Sequence, residues 1–208
     1  AGECCNAGSR LIVHAAIADD FLRAVKALAE KVRVGDPLDD RTKVGAMISA
    51  DHMAKVAGYV IAAKTDGGNV YSGGGQRASN AGQYLDPTIV RGVTEDMAIA
   101  REEVFGPVLS VLTFETIEKA LHIANNTPYG LSAGVWSASI DTCMSVARSV
   151  RSGTVWVNTF MEGYPELPFG GYKQSGLGRE LGKRAVEDYT EEKTIQFHRG
   201  QRTGWWVG

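Results

Sequence analysis

The sequence predicts an α/β fold: a largely parallel, open, twisted sheet with flanking helices. Two observations carry this. Short apolar runs of strand length alternate with longer segments whose apolar residues recur at helical spacing, the pattern of parallel strands joined by helical crossovers. The chain is also long enough to bury a core and ordinary in composition, with 208 residues, 44% hydrophobic and 22% charged.

In chain order, Arg10–His14 (RLIVH) is an apolar run of strand length. The following stretch repeats apolar residues at Phe21, Leu22, Val25, Leu28, Ala29 and Val32, which predicts a helix capped by Asp19 or Asp20 and closed by Gly35. A second helix runs from Ser49 as N-cap to Gly67 as its stop. NVYSGG and QYLDPTIV are extended segments around the Gly73–Gly75 turn, and PVLSVLTF is a buried strand. Then come a helix (TIEKALHIANNT), a strand (GLSAGVWS), a helix (SIDTCMSVARSV) and a strand (GTVWVN). After Asn158 the alternation stops. TFMEGYPELPFGGYKQSGLG is a long Gly-, Pro- and aromatic-rich loop, a length that points to function. RELGKRAVEDY closes the chain as a helix and EKTIQFHR as a strand.

The balance of charge excludes several classes. A formal net charge of -2 leaves no basic footprint for nucleic acid or an anionic membrane. No apolar run reaches the ~20 residues of a membrane span. Three cysteines make no disulfide framework, so a reducing, cytoplasmic setting is expected. No metal site is expected. Two glycine clusters, SGLGRELG and SGGGQ, fail the spacing or context of nucleotide loops and read as turns.

The adjacent pair Cys4 and Cys5 lies between small residues that leave a substrate room to approach. Taken alone, the pair reads more readily as two small buried hydrophobes than as a nucleophile with its neighbour, because a thiol becomes a good nucleophile only where access and environment favour the thiolate. Cys143, among apolar helix residues, reads as buried and inert.

GECCNAGSR resembles the catalytic-cysteine signature of the aldehyde dehydrogenase superfamily, Gly-[Gln/Glu]-x-Cys, fitted by Gly2, Glu3, Cys4 and Cys5. EEVFGPV (Glu102–Val108), NNTPYGLSAGVWS, GTVWVN and PFGGYKQSGLGRELG resemble further motifs of that family, in its order, across essentially the whole chain. The resemblance implies that Cys5 is the nucleophile, forming a thiohemiacetal and then a thioester, with its own N–H helping to hold the oxyanion. It implies that Glu103 and Phe105 contact the nicotinamide cofactor, NAD or NADP with NAD the commoner. His52 and Lys55, three apart on one helix face, match positions that reach the nicotinamide-side ribose. Cys4, Phe160, Glu162 and Phe169 match the substrate pocket, and Asn158 a positioning residue.

The same resemblance implies a catalytic domain over residues 1–192. It implies an oligomerisation strand and tail over 193–208 that build a homo-dimer or tetramer. A Rossmann-type cofactor domain, the general base and the oxyanion asparagine are expected upstream, so this piece by itself is expected to be inactive. The tail is similar to those of betaine-aldehyde and aminoaldehyde dehydrogenases, and Phe160, Tyr164, Glu162 and Glu166 suit a small aldehyde carrying an ammonium group. A coenzyme-A-acylating or phosphorylating dehydrogenase of the same fold, and a non-catalytic assembly fragment, remain as alternatives.

Overall fold

Strands that bury both faces need cover on both sides, and this chain supplies it with helices. A computed structural model describes residues 1–79 and 82–200. The elements are β1 (Arg10–His14), a 3₁₀ turn (Ala15–Ile17), α1 (Ala18–Ala29), α2 (Ala50–Thr65), β2 (Asn69–Ser72), β3 (Gln76–Ser79), β4 (Gly82–Leu85) and β5 (Thr88–Arg91). They continue with α3 (Ala98–Arg101), β6 (Val108–Phe114), α4 (Ile117–Asn125), β7 (Tyr129–Gly130), β8 (Ser132–Val135), α5 (Ile140–Ser149), β9 (Thr154–Val157), β10 (Tyr172–Lys173) and α6 (Gly182–Asp188).

The main sheet has the order β1-β6-β5-β2. Its first three strands are parallel and β2 joins antiparallel at the edge. Successive residues point to opposite faces. Val13, Ile89 and Val111 face α1 and pack on Leu22, whereas Val90, Val108 and Leu112 face α2 and pack with Val56, Val60 and Ala63. A separate parallel pair, β8 with β9, encloses α5 as its crossover and buries Cys143 completely. Short antiparallel pairs, β3 with β4 and β7 with β10, complete the strands.

Three local expectations change. Neither Asp19 nor Asp20 caps α1. They lie in its first turn, the N-cap is Ile17, and the 3₁₀ turn ahead of the helix makes the entry. Gly35 does not close it either, because α1 stops at Ala29; Val32 lies beyond the helix and Leu28 is exposed. The stretch EKTIQFHR lies in no strand of this single chain. A strand exists only where a neighbour completes its hydrogen bonds, and residues 193–200 have none among the described residues. Residues 202–208, the RTGWWVG tail, lie outside the described residues. Among the described residues no helix is long and apolar enough to cross a membrane.

Candidate active site

The cysteine segment is held by close backbone approach. Gly2 adopts φ +74, and a Cβ there would fall 2.5 Å from the Gly106 carbonyl and 2.8 Å from the Pro107 nitrogen. Gly106 in turn presses on Val56 of α2, whose methyl groups lie 2.7 and 2.9 Å from where its Cβ would be. Sequence-distant motifs thus meet: the first residues lie directly on the Phe105–Pro107 turn. Glu3 fastens them further, its Oε1 accepting from the Ile48 N–H at 3.1 Å. The Ala7 N–H donates to the Cys4 carbonyl at 3.0 Å, closing the turn that presents both thiols.

Cys4 and Cys5 are both exposed, which removes the reading of the pair as small buried hydrophobes. Cys4 Sγ donates to Asn6 Oδ1 at 2.9 Å. Cys5 and Glu103 line one cleft of about 460 Å³, with Arg10, Glu102, Tyr129, Gln174 and Ser175 among its other walls. Glu103 is exposed, and among the described residues no hydrogen bond or ion pair engages its carboxylate. A free acceptor-only group beside an accessible thiol suits a cofactor whose ribose offers two hydroxyl donors. The Cys5 N–H has no acceptor among the described residues, so it is free to donate to an oxyanion.

His52 lies elsewhere. Its Nε2 is 2.8 Å from the Phe105 carbonyl and 3.5 Å from Glu3 Oε1, and its ring meets Phe105 edge-on at 6.2 Å between centroids. The ring therefore braces the Phe105 turn, where Phe105 itself takes φ +56, an unusual conformation for a bulky residue. Lys55, one turn on, is exposed and does not line the Cys5 cleft.

Phe160 reaches the cysteine loop from the other side. Its ring is 3.6 Å from where a Gly8 Cβ would sit, and it meets Trp156 edge-on at 5.0 Å and Trp136 at 6.2 Å between centroids. Glu162 is exposed, and its carbonyl accepts from the Trp156 indole N–H at 2.5 Å. Phe169 is half-buried and pairs through its backbone with Glu180. Asn158, at φ +54, accepts from the Ser137 N–H and donates to the Ser137 carbonyl, tying the end of β9 to the chain after β8.

Sequence reasoning gave no site role to Tyr59, Arg10, Gln174 or Ser175, and named Glu3 only as a member of the cysteine signature. Tyr59 donates to Glu102 Oε2 at 2.7 Å, and that bond, with burial and the carboxylate charge, pushes its hydroxyl up to about 12. The signal for Glu3, Gln174 and Ser175 was their place inside quoted motifs. Arg10 likewise closes the quoted GECCNAGSR motif, but nothing local marks Tyr59, whose partner lies far along the chain.

Residues 1–195 match the family described as the aldehyde dehydrogenase family. The chain is 44% identical over 198 residues to the betaine aldehyde dehydrogenase of Bacillus subtilis, covering 94% of this chain and 40% of that protein. It superposes with a TM-score of 0.94 and 47% identity on an NAD-dependent aldehyde dehydrogenase from Sinorhizobium meliloti, covering 100% of this chain and 41% of that one. A betaine aldehyde dehydrogenase from Staphylococcus aureus, in complex with NAD+, gives a TM-score of 0.93 at 38% identity, over 99% of this chain and 42% of that one. The chain thus spans about two fifths of the length of the relatives it matches.

Proposed function

We propose, from the premise that this chain belongs to the aldehyde dehydrogenase family, that it provides the nucleophile and a cofactor contact of an enzyme oxidising aldehydes to carboxylic acids with NAD. The observation that carries this is the shared cleft: an exposed Cys5 and an unengaged Glu103 line the same cavity.

Cys5 Sγ, as thiolate, attacks the aldehyde carbon. A carbon–sulfur bond forms, and the carbonyl electron pair moves onto oxygen, where the Cys5 N–H donates to it. NAD, when bound, supplies the acceptor for the hydride that leaves this carbon. Glu103, in the same cleft as Cys5, would accept from the ribose hydroxyls of that cofactor. Water then adds to the thioester, the carbon–sulfur bond breaks, and the acid leaves with the Cys5 thiol restored. Covalent attachment keeps the reacting carbon in place through both halves.

The substrate class is a small aldehyde bearing an ammonium group. Phe160, whose ring lies against the cysteine loop and meets Trp136 at 6.2 Å between centroids, offers an aromatic face that attracts such a cation. The identity with proteins named betaine aldehyde dehydrogenases supports the same class. The enzyme assembles as a homo-oligomer through the C-terminal stretch 193–208, in which Ile195 and Phe197 are 78% and 88% exposed.

The test is Cys5→Ser beside Cys4→Ala in the enzyme that carries this chain. Cys5→Ser is expected to lower aldehyde oxidation by about a thousandfold or more, with Cys4→Ala retaining most activity. Activity surviving in Cys5→Ser would overturn the assignment. A substrate panel showing no preference for ammonium-bearing aldehydes over aliphatic ones of equal size would overturn the substrate class alone.

A further inference from the structure

The last carbonyls of a helix lack partners within it and carry the negative end of its dipole. At the end of α4 no left-handed glycine takes up the turn; the cap residue is Asn126 at φ -79. Two cations from distant parts of the chain occupy the acceptors instead. Arg10 donates from Nη1 to the Ile123 carbonyl and from Nη2 to the Ala124 carbonyl, each at 3.0 Å. Lys173 Nζ donates to the Asn125 carbonyl at 2.9 Å and the Thr127 carbonyl at 3.1 Å.

Each cation adjoins a segment that lines the Cys5 cleft. Arg10 opens β1, directly after the cysteine loop, and lines the cleft itself. Lys173 immediately precedes Gln174–Gly176, which form a further part of the cleft rim. That rim is also tied to the same turn by the Gln174 N–H on the Pro128 carbonyl at 3.0 Å and the Gly130 N–H on Ser175 Oγ at 2.9 Å.

We propose that Arg10 and Lys173 are positioning residues: together they clamp the chain leaving α4 and so hold the cysteine strand and the Gln174–Gly176 rim in register around the cleft. The clamp rests on the reading of Cys5 as nucleophile given above. It is maintained against two costs. Lys173 takes φ +53, a conformation that non-glycine residues adopt at a penalty. Burial, followed by the Arg151 and Arg10 charges, holds its ammonium below the usual lysine range. A lysine turned to solvent would avoid the second cost entirely. What the arrangement secures is four charge-assisted hydrogen bonds that fix three segments to one another.

The experiment compares wild type, Lys173→Met and Lys173→Arg in the enzyme that carries this chain. It reads amide exchange over residues 125–130, kcat and KM for aldehyde, and alkylation of the thiols by iodoacetamide. Lys173→Met keeps the aliphatic stem but removes both donors. It is expected to speed exchange at 125–130 by about tenfold and lower kcat about fivefold, with KM within about twofold. Lys173→Arg is expected to recover most of both. Wild-type exchange and kcat in a folded Lys173→Met protein overturn the clamp, as does a loss that Lys173→Arg does not rescue. Arg10→Lys, which keeps the charge but loses the two-pronged fork, is read in the same way and decides alone should Lys173→Met fail to fold. The underlying reading has its own readout: wild-type Cys5 alkylated no faster than Cys4 refutes the nucleophile, whereas a fast Cys5 with an unaltered Lys173→Met protein refutes only the clamp.

Discussion

Gly2 and Gly106 touch with no room for a side chain between them, and the placement of Cys5 depends on that contact. A Cβ on Gly2 would overlap the Gly106 carbonyl, at a backbone angle that L side chains rarely adopt. Gly2→Ala is therefore expected to cost about 1–3 kcal/mol, or to release the segment and spare the stability while slowing alkylation of Cys5. Urea denaturation with iodoacetamide labelling checks both, and a variant unchanged in each would contradict the account. Tyr59 carries a pH dependence. Its folded value of about 12 lies above the ordinary 10.0, mainly because its proton is held by Glu102. Stability from this bond is thus complete below pH 10.0 and lost as pH rises towards 12. Tyr59→Phe is expected to lose less stability than wild type across that window, measured by urea denaturation at a series of pH values; parallel curves would contradict it.

At the scale of elements, α2 shows how a sequence signal becomes position. Ser49 accepts from the His52 N–H at 3.1 Å, which caps the helix. At its other end the Gly68 N–H reaches the Ala63 carbonyl at 2.7 Å and the Gly67 N–H the Lys64 carbonyl at 3.3 Å, with Gly67 at φ +100, a Schellman closure. Both ends were legible because capping is decided by residues within a turn of one another. Ser49→Ala is expected to cost about 1 kcal/mol of stability, visible as a lower urea midpoint at unchanged slope. An unaltered midpoint would mean that the cap is replaced by solvent. The start of α1 was not legible. Two aspartates supply the right chemistry for a cap, but the 3₁₀ turn at Ala15–Ile17 moves the helix start past them. That turn is stabilised by His14, whose Nδ1 accepts from the Ala16 N–H at 3.1 Å, a contact no helical periodicity announces.

Across the whole molecule, apolar side chains remain open on several faces. Leu38 is 90% exposed, Ile48 81% and Phe197 88%. On the proposed assembly through the C-terminal stretch, removal of residues 193–208 is expected to give smaller species by sedimentation; an unchanged assembly would contradict that role. The sequence by itself determined the fold class, most of the helices and strands, the burial of Cys143, and the short motifs that hold Cys5 and Glu103. Those properties depend on neighbours along the chain and on hydrophobic period. Only the tertiary structure decided that Cys5 and Glu103 share one cleft, that the His52 ring braces the Phe105 carbonyl while Lys55 stands in solvent, and that Arg10 and Lys173 meet on one helix end. These are meetings between segments far apart in the chain. Hydrogen bonds and close packing of that kind are set by how the layers fold onto each other, and no local pattern of residues encodes which partners they bring together.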